Sequence, residues 1–130
     1  MLSEKISEKF ENGIIAGLSN DLKTETIDWN EHNLFKGVYL KHLIKGIDTN
    51  NSLSCHLVKV NPGCSIDTHF HNGKLEIHEV IEGTGICIIG KKAIDYSTGT
   101  VTLIPADIPH KVTAGTEGIY ILAKFSPALL

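Results

Sequence analysis

The sequence predicts an all-β fold, and two observations support this prediction. Short runs of β-branched and other apolar residues recur from about residue 53 to residue 126, and glycine-containing turn signals separate them. A helical spacing of apolar residues occurs only near the start of the chain, so little helix is expected. Many short strands at such spacing are typical of a β-sandwich or a β-barrel.

The N-terminal segment is predicted to form one short helix and then one or two strands. Leu2, Ile6 and Phe10 recur at four-residue spacing, which predicts a short amphipathic helix that ends near Gly13. The stretch 28–45 mixes polar residues with aliphatic and aromatic ones, and it predicts one or two strands. A cluster of turn-forming residues follows this stretch.

Seven more strands are predicted beyond that cluster. Their approximate bounds are 53–61, 65–71, 75–82, 85–90, 100–104, 110–114 and 118–126. The turn signals between them are Asn61-Pro62-Gly63, Asn72-Gly73, Glu82-Gly83-Thr84-Gly85, Gly90-Lys91 and Gly115-Thr116.

The most informative motif spans two of these predicted strands, 65–71 and 75–82. Its fixed positions are Gly63, His69, His71, Glu76 and Gly83, which read G-x5-H-x-H-x4-E-x6-G. Three side chains that bind metals well therefore stand within eight residues of one another. This concentration of ligands predicts a metal site.

Strand geometry explains how these side chains could converge. Side chains two positions apart on a strand share a face, so His69 and His71 point the same way. A tight hairpin turn at Asn72-Gly73 would place His69 opposite Glu76. In that register His71 lies opposite Lys74, and opposed Cβ atoms are about 4.5–5.5 Å apart. A looser loop would change the register, and a half-exposed hairpin with polar residues is the alternative to a metal site.

A second segment, between Gly99 and His110, adds another histidine at the end of an apolar strand. It reads G-x5-P-x-D-x2-H, with Pro105 and Asp107 at the internal fixed positions. Together the two segments resemble the paired motifs of the cupin superfamily, in its small single-domain, type-2 form. The family often has Gly at the position of Asp107 and Asn at that of Ala114. That turn therefore lacks the most permissive residue, but neither departure removes a ligand.

The resemblance implies a double-stranded β-helix, or jelly-roll cupin barrel, with a short N-terminal helix. The matched core runs from about residue 58 to residue 112, and the whole chain, 1–130, is expected to form a single cupin domain. Inside that barrel the resemblance implies a metal site of three histidines and one glutamate: His69, His71, Glu76 and His110.

Two further histidines are predicted to face the barrel interior. His78 shares strand parity with Glu76, so both are expected to point inward. His56 has the opposite parity to a lysine on its own strand, and lysine prefers solvent. Both are candidates for acid or base catalysis, for orienting a metal ligand, or for a buried structural role. His32 and His42 lie outside the matched core and are expected at the surface or in packing.

The predicted ligand set indicates the class of chemistry. Imidazole and carboxylate suit one divalent transition metal, which could be Zn, Fe, Ni, Mn or Cu. The leading hypothesis is a metal-dependent enzyme that acts on a small polar or oxygen-rich molecule by isomerase, lyase or dioxygenase chemistry. The alternative is a non-catalytic cupin that binds a small, sugar-type ligand, since the superfamily hosts both classes. A metal that serves only as a structural staple is the third hypothesis.

Composition argues against other classes of partner. The formal net charge is −3 and the sequence has no basic patch, so nucleic acid is not an expected partner. No apolar run approaches the roughly 20 residues that a membrane span requires. All twelve basic residues are lysines, so no guanidinium is present for bidentate binding of a carboxylate.

The expected surroundings are a reducing compartment and a second copy of the chain. Cys55, Cys64 and Cys87 form no metal-binding pair and suggest no disulfide framework, which favours the cytoplasm. The expected partners are a small-molecule ligand or substrate and a second protomer. Segment 1–45 is predicted to supply much of the interface of that homodimer.

Overall fold

A computed structural model describes residues 5–130 of the chain. Within them, strands dominate, and helix is limited to α1 (Ile6–Glu11) and two short 3₁₀ helices (Thr24–Thr26 and Gly46–Asp48). The ten strands are β1 (Ile14–Ala16), β2 (Asp21–Lys23), β3 (Asn30–Glu31), β4 (Val38–Ile44), β5 (Ser54–Val60), β6 (Ser65–His69), β7 (Leu75–Ile89), β8 (Lys92–Ser97), β9 (Val101–Ile104) and β10 (His110–Ser126). The all-β prediction is therefore confirmed.

The strands form a jelly-roll barrel of two layers. Strands β3, β4, β5, β10, β7 and β8 pair in that order, all antiparallel, while β6 joins β10 and β9 joins β7. The C-terminal part of β10 pairs with β5 and with the first part of β7. The N-terminal part of β10 pairs with β6 and with the last part of β7. These two long strands therefore connect the layers, and β1 and β2 form a separate hairpin.

The long strands replace two turns that the sequence predicts. Glycines at 82–85 and 115–116 suggest breaks, yet β7 and β10 run through both positions. Gly83 has φ 85°, and a Cβ there would lie 2.2 Å from the carbonyl oxygen of Gly118. The two backbones thus approach more closely than any side chain permits. Glycine here bends a continuous strand from one layer into the other, as strands do at barrel corners.

The hydrophobic core fills the space between the layers. Val58, Val112 and Ile121 are among its buried members. A second cluster lies on the outer face of the layer that contains β5 and the C-terminal part of β10. There Leu57 and Leu122 are covered by Phe10 of α1 and by Trp29. Residues of opposite parity on one strand are therefore both buried, because the N-terminal segment covers a face that would otherwise meet solvent.

Several elements differ from the predictions. The helix prediction included Leu2, which lies outside the described residues, and the helix ends at Glu11. Strands β1, β2 and β8 were not predicted, and the first two are only three residues long. In β8 the signal is limited to inward-facing Ile94 and Tyr96. None of the helices within residues 5–130 has the length and hydrophobicity needed to cross a bilayer.

Candidate metal centre

The four predicted ligand side chains lie together inside the barrel. His69 ends β6, His71 lies in the loop that follows, Glu76 is in β7 and His110 begins β10. The ligand nitrogens of the three histidines lie within 4.8 Å of one another. Oε1 of Glu76 lies 3.1 Å from Nε2 of His110 and 3.7 Å from Nε2 of His71. The histidines thus form the cluster, and Glu76 borders it.

The pairing that assembles this site differs from the predicted hairpin, and that prediction is wrong. Strand β6 pairs with β10, so His69 lies opposite His110 rather than opposite Glu76. Glu76 belongs to the first part of β7, in the facing layer. The Asn72-Gly73 turn exists, with a positive φ only at Gly73, but it joins the two layers instead of two paired strands. The site is therefore built across the barrel interior.

Backbone hydrogen bonds fix two of the imidazole rings. Nδ1 of His69 lies 2.7 Å from the carbonyl oxygen of Asp67, and Nδ1 of His110 lies 3.0 Å from that of Ile108. A carbonyl oxygen accepts only, so in each neutral ring Nδ1 carries the hydrogen. Nε2 then keeps its lone pair and faces the cluster. This arrangement is the usual one for histidines that bind a metal through Nε2.

Two buried atoms provide the strongest sign that these residues fit a metal ion. Oε1 of Glu76 and Nε2 of His110 are buried and make no well-aligned hydrogen bond, although they lie 3.1 Å apart. Nε2 of His69 lies 3.2 Å from Nε2 of His71. Two ligands about 2.1 Å from one ion, at right angles, lie about 3 Å apart. These two spacings are close to this value, and one cation would satisfy the unpaired atoms.

Protonation also favours a cation-binding state. Burial lowers the pKa of His69 and lowers that of His71 to about 4, so both rings are neutral at neutral pH. Burial alone would raise the pKa of Glu76, but His78 and His110 outweigh it and lower the pKa. Burial would likewise lower the pKa of His110, but the Glu76 carboxylate and a backbone carbonyl raise it. The site thus offers two neutral imidazoles and one carboxylate, and a cation would displace any proton that the raised pKa leaves on His110.

A hydrogen-bond chain through His78 and Tyr96 holds the Glu76 carboxylate on the side away from the three histidines of the cluster. Nε2 of His78 lies 2.7 Å from Oε2 of Glu76, and Nδ1 of His78 lies 2.9 Å from the Tyr96 hydroxyl. The carboxylate accepts from Nε2–H, so the Tyr96 hydroxyl donates to Nδ1. Burial raises the pKa of Tyr96, so its hydroxyl keeps its proton. The inward orientation predicted for His78 is therefore found, with both ring nitrogens engaged.

Asp107, one of the two departures from the family motif, stabilises the loop that carries His71. Its backbone adopts φ 68°, the left-handed conformation that glycine favours. Its Oδ1 accepts a hydrogen bond from the backbone N–H of Gly73 at 2.8 Å, and its own N–H donates to the carbonyl of His71 at 3.3 Å. The aspartate thus adopts the strained turn and adds a side-chain bond that glycine cannot make.

A cavity of about 380 Å³ adjoins the cluster. Glu76, His69 and His71 contribute to its lining, and most of the remaining lining is aliphatic. His32 and His42 line it as well. His32 also stacks on Phe35, which agrees with the packing role expected of it. This volume lies within the range of small-molecule sites, so a small ligand could reach the cluster.

His56 points inward as predicted, but it lies behind the cavity lining. It is fully buried, and Phe125 packs against both His56 and His71. Nδ1 of His56 lies 2.8 Å from Nδ1 of His42, which does line the cavity. Strand parity places His42 on the inner face of β4, as it places His56 on the inner face of β5. This parity is the sequence signal that could have identified His42 as a cavity residue.

Comparison with known proteins agrees with the fold. A model of the cupin domain matches residues 56–123, which is more than half of the chain. The chain belongs to the cupin family. The predicted resemblance is thereby confirmed, and no curated protein matches this cupin.

Solved structures show the same architecture at low sequence identity. KdgF from Halomonas sp. is 20% identical with a TM-score of 0.69, over 79% of this cupin and 88% of that chain. A predicted oxalate decarboxylase from Thermotoga maritima is 22% identical with a TM-score of 0.74, over 81% of this cupin and 96% of that chain. Bacillus subtilis oxalate decarboxylase, which has Mn(II) centres, is 22% identical with a TM-score of 0.68, over 79% of this cupin and 28% of that chain. These likenesses establish the fold.

Proposed function

We propose that this cupin binds one divalent transition metal and uses it in catalysis on a small polar or oxygen-rich molecule. The proposed ligands are His69, His71, Glu76 and His110. The observation that carries the proposal is the pair of buried, unpartnered atoms, Oε1 of Glu76 and Nε2 of His110, beside a cavity of about 380 Å³. Zn, Fe, Ni, Mn and Cu all suit this donor set.

The chemistry proposed is isomerisation, elimination or oxygenation. A bound metal would supply Lewis acidity toward a substrate oxygen. We assign proton handling to His78, because it lines the cavity and donates to Oε2 of Glu76. The Tyr96 hydroxyl holds His78 from the other side. His56, the other candidate, lies behind the lining, where it hydrogen-bonds His42 and packs against Phe125.

A non-catalytic, sugar-type binding function is the second candidate, and one observation favours it. Both ring nitrogens of His78 are already in hydrogen bonds within the protein. A residue held in this way is suited to fixing Glu76 as a ligand, and that role requires no turnover. Under this alternative, changes at His78 would alter only the affinity of the protein for the bound small molecule.

The test compares the parent protein with His78→Gln. Metal-loaded protein is screened by thermal shift against small acids, sugars and phenols, and stabilising compounds are then assayed for turnover. We expect turnover that falls about 10²–10⁴-fold in His78→Gln while metal content is retained. Glu117→Gln is the control, because Glu117 is exposed and does not line the cavity. Turnover that is equal in parent and His78→Gln would contradict the assigned role.

We also propose a cytoplasmic homodimer in which segment 1–45 contributes to the interface. The β1–β2 hairpin leaves Ile14, Leu18 and Leu22 exposed, and an apolar surface of this kind favours a partner. The three cysteines are free, as expected in a reducing compartment. Light scattering at micromolar concentration should give the mass of two chains, and replacing Ile14 and Leu22 with serine should shift it toward one. A monomeric parent would contradict the proposal.

A further inference from the structure

A hydrogen-bond chain separate from that of His78 and Tyr96 starts at the C-terminal segment and ends at the cavity lining. The Leu129 backbone N–H lies 2.8 Å from Oγ of Ser54, and that oxygen lies 2.8 Å from Nε2 of His56. Nδ1 of His56 lies 2.8 Å from Nδ1 of His42. Ser54 and His56 are fully buried, whereas His42 lines the cavity. None of these contacts involves the candidate metal ligands.

The hydrogen atoms on this chain can be assigned because each group has a fixed capacity to donate and accept. The N–H of Leu129 can only donate, so Oγ of Ser54 accepts it. Within residues 5–130 the Ser54 hydroxyl has one acceptor in reach, Nε2 of His56, so its hydrogen points there. His56 then carries its hydrogen on Nδ1 and donates it to Nδ1 of His42. The hydrogen of His42 is therefore on Nε2.

The opposite assignment is unfavourable. If His56 donated from Nε2 to Ser54, the fully buried hydroxyl hydrogen would have no acceptor among the described residues. Burial lowers the pKa of His42 and lowers that of His56 to about 4, with His42 a further cause in the second case. Both rings are therefore neutral at neutral pH, and each has a single ring hydrogen. His42 accepts through Nδ1 and has a free donor at Nε2.

The cavity lining offers few charged side chains to bind the far end of a ligand. Among the described residues that line it, none is a lysine, and the acidic ones are Glu31 and Glu76. Most of the lining near His42 is aliphatic, including Leu40 and Val58. A strongly anionic molecule would find no side-chain cation here. An apolar molecule with a neutral acceptor oxygen would find the N–H donor of His42 beside this aliphatic lining.

Asn30, His32 and Asn33 line the cavity as well, and His32 also carries its hydrogen on Nε2, because its Nδ1 accepts from the backbone N–H groups of Leu34 and Phe35. The donor of His42 differs in that a hydrogen-bond chain through the fully buried Ser54 and His56 fixes it.

We propose that Nε2–H of His42 selects ligands with an apolar body, one oxygen at the histidine–glutamate cluster and a second, neutral acceptor oxygen such as a carbonyl. Ser54 and His56 are positioning residues that fix the tautomer of His42. The assignment rests on the proposed function of the cavity as a ligand site, and it goes further by naming the class of molecule and the residue that recognises it.

The first test reads the tautomer directly by ¹⁵N NMR of the histidine rings in zinc-loaded protein. His42→Gln and His56→Gln assign the signals. We expect the ¹⁵N chemical shift typical of a protonated ring nitrogen at Nε2 of His42 and at Nδ1 of His56. Ser54→Thr, which keeps the hydroxyl, should preserve this pattern, and Ser54→Ala should lose it. A protonated Nδ1 in His42 of the parent protein would overturn the inference, whatever the variants do.

The second test measures selectivity. The three hydroxyacetophenone isomers are compared by calorimetry with the matching ethylphenols, which replace the carbonyl with a methylene group. We expect one ketone to bind roughly fivefold to tenfold more tightly than its ethylphenol, the value of one hydrogen bond. His42→Leu should reduce the preference to about twofold or less, and His32→Leu should keep it. No preference in the parent, no binding by any isomer, an unchanged preference in His42→Leu, or a preference lost in His32→Leu would overturn the inference.

The two proposals fail in different ways. A protein that holds zinc and shows both the tautomer and the ketone preference, yet never turns over a substrate, would refute the enzyme and leave the role of His42 intact. A protein that turns over substrate equally well in parent and His42→Leu, with no ketone preference, would refute the role of His42 alone.

Discussion

The buried His56 ring should make folding stability depend on pH in a defined window. Its pKa falls from 6.5 in the unfolded chain to about 4 in the folded protein, chiefly through burial. Between these values the unfolded chain binds a proton at His56 and the folded protein does not. The free energy of unfolding therefore decreases as the pH falls from about 6.5 to about 4, and this contribution is constant below that. Each pKa unit is worth about 1.4 kcal/mol, so the total is roughly 3 kcal/mol.

The assay is urea denaturation of parent and His56→Gln at a series of pH values. A chelator is present throughout, so metal release does not contribute to either curve. His56→Gln should be less stable at neutral pH, because it disturbs the hydrogen bonds to Ser54 and His42. Its stability should nevertheless fall less between pH 7 and pH 4, by roughly 3 kcal/mol. Parallel pH dependences in the two proteins would show that His56 is not the buried neutral group described.

Three further predictions concern backbone and hydrogen-bond geometry. Gly83→Ala should lower the free energy of unfolding by about 2 kcal/mol or more, because φ is 85° and a Cβ would lie 2.2 Å from a neighbouring carbonyl oxygen; unchanged urea denaturation would contradict this. Asp107→Gly should weaken metal affinity in chelator competition with little loss of stability, since strain is relieved while the bond to Gly73 is lost; affinity equal to the parent would contradict the role of that bond. Tyr96→Phe should cost about 1–3 kcal/mol by leaving Nδ1 of His78 unpaired, with metal content retained; thermal denaturation with metal analysis checks both parts.

The sequence was a better guide to the identity of the converging side chains than to the strand pairing that brings them together. The motif spacing identified His69, His71 and Glu76, and strand parity correctly predicted that His78 points inward. The register failed, because β6 pairs with β10, a strand about forty residues later. Local turn chemistry at Asn72-Gly73 says nothing about that partner, since nonlocal pairing depends on the packing of the whole barrel.

Two features required the three-dimensional structure. His42 lies outside the matched motifs, and its importance follows from the strand that β4 pairs with, which places it beside His56. The bend at Gly83 appeared in the sequence as a turn, because glycine serves both a turn and a close approach of two strands. In both cases the residue type was evident, and its role depended on a neighbour distant in sequence.

The most direct test of the account is metal stoichiometry in protein purified without an affinity tag. Parent, His110→Ala and the control His32→Ala are compared by elemental analysis after equilibration with one transition metal at neutral pH. We expect about one ion per chain in parent and control and a large loss in His110→Ala, because that change removes a proposed ligand from the cluster. Full occupancy in His110→Ala, or a parent that retains no metal, would contradict the central claim.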